Sequence, residues 1–218
     1  METTADLNII KYHWSFNGSI KDEVENLDLT KEGNDTLWTE DRFGRNNMAL
    51  KLRNFSNFFR IPNDIYMSNA FSVSVWLRVH ECSKSSRLID FSHQTLGHNI
   101  IFGYHSINYN CLPYLEVFKE KSLSCNLTLD KEFPNIQINT WNHLSFSFNE
   151  QNQIVYLNAL PIINRSLSCQ VDSSVLRNLN YIFKINDNHY EDVNFDIDDL
   201  KIYNRALTQK QIQTDLNM

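Results

Sequence analysis

Between Phe71 and Val79 the chain alternates without a break. Phe71, Val73, Val75, Leu77 and Val79 fall on one side, and Ser72, Ser74, Trp76 and Arg78 on the other. A period of two is the signature of a half-buried β-strand. The pattern returns at Leu144–Phe148. A polar turn at Glu150–Gln153 then leads into Ile154–Leu157, which together read as a hairpin. Further short runs predict strands at 12–16, 49–52, 58–61, 87–91, 99–104, 114–118, 122–127, 181–185 and 196–203. Closely spaced short strands separated by turns point to an all-β sandwich or barrel. One helix is expected, at the C-terminus. Thr208 with Gln211 forms a capping-box pattern, and Ile212 and Leu216 lie four apart on one face.

A chain with this many turns usually spends glycine on them, but this one has 5 in 218 residues, against a usual share of about 7%. It carries 28 asparagines instead. Asn is the next-best residue at positive φ and can close turns in place of glycine. No Pro/Ser-rich linker, composition break or internal repeat divides the sequence, so residues 1–218 read as a single domain. A hydrophobic share of 42% excludes a disordered chain. A formal charge of -6 without a basic run argues against nucleic acid and anionic membranes as main partners.

The acidic, polar start does not read as a signal peptide, which leaves a cytosolic protein or a domain of a longer chain as the expectations. The longest stretch without Asp, Glu, Lys or Arg, Phe91–Leu115, is interrupted by His, Asn and Ser, so no membrane insertion is expected. Cys82, Cys111, Cys125 and Cys169 contain no CxxC pair. Two disulfides with three possible connectivities, or buried free thiols, are both open. Asn-x-Ser/Thr sequons at Asn17, Asn34, Asn54, Asn126 and Asn164 permit glycosylation.

The most suggestive segment is 191–200, where Asp196, Asp198 and Asp199 crowd together. Three readings stand side by side: a solvated acidic strand, paired carboxylates of a sandwich glycosidase, and hard oxygen ligands for Ca²⁺. The apolar parity slips by one between Ile197 and Leu200, so a β-bulge is expected at Asp198-Asp199. A second acidic cluster, 22–28, is able to complete the first in space. The seven histidines form no HExxH spacing, and there is no GxSxG elbow or glycine-rich phosphate loop. Tyr104, Tyr109 and Tyr114 flank a polar, His-rich stretch, either to stack on a sugar or to pack inside.

Read in order, the motifs resemble the LamG-like jelly-roll family, the laminin-G/pentraxin type of concanavalin A-like sandwich. The matching segments are Tyr12–Gly18, Arg42–Leu50 (an "RFG…AL" segment), Phe71–Arg78, Thr140–Leu144, Ile154–Asn158, and Ile197–Thr208 with the closing Gln211-Ile212. The resemblance covers residues 9–213. It implies an all-β, two-sheet antiparallel jelly roll with one short C-terminal helix. It also implies an extracellular or cell-surface recognition module, part of a larger chain, that binds glycan or an extracellular protein without catalysis. Export would bring disulfides among the four cysteines. The alternatives are a glycoside hydrolase or polysaccharide lyase on the same sandwich, and a purely structural adhesion domain. By position, the family's structural calcium falls to Asp22 and Asp198 or Asp199, with Asn26 and Asp28. The chain departs from the family where Ala159 follows Asn158 and where the Asp22 loop lacks Ser-Gly. The strand that carries Glu-x-Asp-x-x-Glu in glycosidase relatives lacks both Glu here, which favours the non-catalytic reading.

Overall fold

The computed structural model describes residues 9–33, 38–53, 58–82, 86–93, 97–108, 110–120, 122–127, 134–166, 171–182, 184 and 194–218. The strands form two antiparallel sheets, numbered here in chain order. The first runs β13 (Leu160–Arg165), β12 (Gln153–Leu157), β11 (Trp141–Asn149), β6 (Ala70–Glu81), β15 (Asn194–Tyr203), β4 (Ala49–Arg53) and β3 (Trp38–Thr39), with β1 (Ile10–Trp14) on β15. The second runs β10 (Ser122–Leu127), β9 (Asn110–Lys119), β8 (Gly97–Ile107), β7 (Ser86–His93), β14 (Asn180–Ile182), β5 (Phe58–Ile61) and β2 (Thr30–Glu32). This is a sandwich of the jelly-roll kind.

The alternation at Phe71–Val79 does what its parity demands. Phe71, Val73, Val75, Leu77 and Val79 enter one large core that also holds Phe91, Phe102, Phe146 and Phe148 from both sheets. Cys82, just past β6, is disulfide-bonded to Cys111 on β9, so the bridge ties the two sheets together. Cys125 is also disulfide-bonded; Cys169 lies outside the described residues.

Asparagine closes turns as expected. Asn26, Asn47, Asn108, Asn139 and Asn158 all have positive φ. Ala159, at the position of a family glycine, keeps φ at 61° after Asn158 at 51°. The β12–β13 hairpin therefore retains a turn with two left-handed residues, at the steric cost of a buried methyl.

The helix α1 (Gln209–Leu216) begins with the full capping box at Thr208 and Gln211. It lies on the outer face of the eight-stranded sheet, where Leu207 and Ile212 pack against Tyr156, Ala159 and Tyr203.

Candidate functional site

The expected bulge is present. The register of β15 against β6 shifts between Asp198 and Lys201, and Asp199 has φ of 47°. It aims two carboxylates at one guanidinium. Arg42 Nη1 donates to Asp198 Oδ2 and Arg42 Nη2 pairs with Asp199 Oδ2, each at 2.6 Å. His13 Nε2 lies 2.8 Å from Asp199 Oδ1. Burial and Asp199 push the Asp198 carboxyl up to about 7, against the pull of Arg42. Burial also raises Asp199, but the His13 hydrogen bond and the charges of Lys201 and Arg42 outweigh it and hold it low.

Asp22 is buried for a different reason. Its Oδ1 accepts the backbone N–H of His13 at 2.8 Å and of Val24 at 3.3 Å. Its Oδ2 accepts those of Glu25 at 2.8 Å and Leu27 at 3.3 Å. Asp28 accepts the Asp22 N–H in turn, while Asn26 is exposed with φ of 58°. Calcium needs six to eight converging oxygens. Here Asp22 caps a loop, and Asp198 and Asp199 clasp an arginine. Among the described residues no group of three or more His, Cys, Asp or Glu is placed to hold a metal. As arranged, the expected donor set does not fit a calcium ion.

Beneath α1, Asp215 is buried and accepts from Lys201 Nζ at 2.9 Å and from the Tyr203 hydroxyl. It lies 3.1 Å from His143 Nε2. Ser145 Oγ is 3.3 Å from His143 Nδ1. The order Ser–His–Asp has the look of a nucleophilic triad. However, Ser145 is fully buried and Asp215 is shared with a lysine and a tyrosine, so no substrate reaches the hydroxyl. The group anchors the helix.

The outer face of the seven-stranded sheet is different. Cross-strand register places one residue from each strand in a single row: Thr30, Arg60, Tyr181, Asp90, Ile101, Glu116 and Asn126. Most of their neighbours in sequence point inward to the core, so the row lies on the side of the sheet away from the core, with Asp90 and Ile101 in its middle still buried. Strands about 4.8 Å apart give it a length of roughly 29 Å. At one end Tyr181 and Phe58 meet edge-on at 5.6 Å, with Lys184 Nζ over both rings at 4.9 and 4.3 Å. Arg60 donates to the Asn178 carbonyl and pairs with no described carboxylate. In the middle Arg87 Nη1 holds Asp90 at 2.8 Å and Asn99 donates to the same carboxylate. Burial raises the Glu116 carboxyl, while Arg87 pulls it down.

Tyr104 and Tyr114, two of the expected sugar-stacking residues, are buried. Tyr104 points into the core and Tyr114 lies against Gly103, so neither presents a face to a ligand. Tyr109 lies outside the described residues. Among the sequons, Asn17 and Asn164 are exposed. Asn126 is partly buried in the row with its Oδ1 enclosed, and Asn34 and Asn54 lie outside the described residues. Sequence reasoning missed Arg42, although it stands in a quoted motif, and missed the whole row. Its members are separated by up to 151 positions, from Thr30 to Tyr181, and only strand register joins them.

Among solved structures, domain 4 of AbnA, a GH43 extracellular arabinanase from Geobacillus stearothermophilus in complex with arabinotriose, matches with a TM-score of 0.71 at 20% identity. The match covers 96% of this chain and 98% of that one. A structure of botulinum neurotoxin type C, described as depending on two ganglioside molecules for cell entry, matches with a TM-score of 0.73 at 16% identity. It covers 99% of this chain and 52% of that one. The binding domain of botulinum neurotoxin DC in complex with SialylT matches with a TM-score of 0.71 at 18% identity, covering 96% and 51%. The chain thus spans about half the length of these toxin chains, and likeness at such identity shows the fold alone. No curated protein sequence matches the chain. The profile of the concanavalin A-like lectin/glucanases superfamily matches residues 54–213. The chain belongs to that superfamily.

Proposed function

We propose that this chain is a non-catalytic extracellular recognition module that binds glycan along the outer face of its seven-stranded sheet. The observation that carries this reading is the row from Thr30 to Asn126. It sets the aromatic pair Phe58–Tyr181, the Arg60 guanidinium and the partly exposed Glu116 and Asn126 on one sheet face, around a buried centre at Asp90 and Ile101. Rings beside planar hydrogen-bonding groups suit a polar ligand with apolar ring faces. Neighbours of the same fold that bind arabinotriose, gangliosides or sialylated glycan support the class of ligand. The inter-sheet disulfide suits export. No helix among the described residues is long and apolar enough to cross a membrane.

Hydrolysis is the rival. Asp90 and Glu116 sit two strands apart, about 10 Å between Cα atoms, near the spacing of an inverting pair. Asp90, however, has no exposure, and Arg87 and Asn99 occupy both of its oxygens. It is poorly placed to activate water.

The test is a glycan array, followed by calorimetric titration with arabinotriose and sialylated oligosaccharides. The wild type should bind at least one glycan without cleaving it. Tyr181→Ala and Arg60→Ala should weaken that binding by about tenfold or more while leaving the circular dichroism spectrum unchanged. Absence of any glycan bound, or binding indifferent to both substitutions, would refute the reading.

A further inference from the structure

We infer that Arg42 is the resident counter-cation of the Asp198–Asp199 bulge, standing where the fold family places a calcium ion, so that this rim of the sandwich is held without metal. The guanidinium is held by two carboxylates and two aromatic rings. Two of its edges meet Asp198 and Asp199 at 2.6 Å. Its faces lie against the rings of Phe43 at 4.5 Å and Trp76 at 5.1 Å. The Arg42 side chain is only 7% exposed.

A forked arginine is a permanent, planar cation that matches two carboxylate oxygens at once. A divalent ion bound by the same oxygens would sit within one side chain of that charge. Three further oxygens of the expected donor set are committed as well: Asp199 Oδ1 to His13, and both Asp22 oxygens to backbone N–H groups of His13 and its own loop. The missing Ser-Gly in this loop agrees with that use, because a loop folded around its own aspartate needs no glycine to turn carbonyls toward an ion. The asparagine at position 26 supplies the one positive φ the loop requires.

The experiment is thermal unfolding, backed by calcium calorimetry. For the wild type, the melting temperature in millimolar CaCl₂ and in EGTA should coincide, and calcium should produce no binding heat. Arg42→Gln should lower the melting temperature by roughly 6–20 °C, the loss expected when a buried charge pair is broken from one side. The triple variant R42Q/D198N/D199N should regain most of that loss, since it removes the unpaired charge and Asn tolerates the positive φ at 199. If R42Q does not fold at all, folding of the triple variant still reports the same coupling. A calcium-dependent rise in the wild type would overturn the inference. So would an R42Q chain as stable as the wild type, or a triple variant no better than R42Q.

Discussion

The anchor of the C-terminal helix offers the sharpest stability test. Asp215 is nearly fully buried, and so is its partner Lys201. Burial pushes the Asp215 carboxyl up, but the His143 hydrogen bond and the Lys201 charge outweigh it and hold the group far below the usual carboxylate range. Asp215→Asn keeps the shape and removes the charge, leaving the Lys201 ammonium buried without a counter-ion. Breaking a buried pair from one side costs about 3–5 kcal/mol. For a chain of this size that corresponds to a fall in melting temperature of roughly 6–20 °C.

The pH dependence has a definite sign. Because the folded carboxyl is more acidic than the unfolded one, near 3.9, the unfolded state takes up the extra proton in acid. The stabilisation is therefore complete above about pH 5 and drains away as the pH falls below the unfolded value. Urea unfolding followed by tryptophan fluorescence, at pH 7 and pH 3, reads both effects. D215N should be much less stable than the wild type at pH 7, and the gap should narrow at pH 3. The double variant K201M/D215N should regain stability, since an apolar side chain carries no charge to leave unpaired. A loss under about 1 kcal/mol at pH 7, or a gap unchanged at pH 3, would show that the cluster is not the electrostatic anchor described.

Two further outcomes test the packing between and within the sheets. A methyl placed on Gly103 would fall 2.3 Å from the Ser86 carbonyl oxygen and 2.6 Å from the Tyr114 ring. Gly103→Ala should therefore cost about 1–3 kcal/mol, and an unchanged melting temperature would refute the close packing of β7, β8 and β9. The Cys82–Cys111 bridge closes a segment with a sequence separation of 29. The paired substitution C82A/C111A should lose about 3–4 kcal/mol on loop entropy, measured by urea unfolding. A loss near zero would mean that core packing alone fixes the two sheets.

Much of the fold is legible in the chain itself, because its signals are local. The alternation at Phe71–Val79 sets a strand and its buried face. Thr208 and Gln211 mark the start of the helix. The parity slip between Ile197 and Leu200 places the bulge at Asp198-Asp199, and the surplus of asparagine accounts for the left-handed turns at residues 26, 47 and 158. The fates of the polar side chains were not legible, because their partners come from distant strands. The acidity around Asp198 leaves a solvated strand, a carboxylate pair and a metal site open until Arg42, 156 positions away, is seen to pair with it. Asp215 carries no local signal of its role, which comes from Lys201, Tyr203 and His143 converging on it. Tyr114 reads as either a sugar platform or a packed ring until β8 brings Gly103 beneath it. Sequence alone determined which residues face inward along each strand, since that depends only on a period of two. Tertiary structure decided which charges meet and which outward side chains share a row, since that depends on strand order and register, which no local pattern encodes.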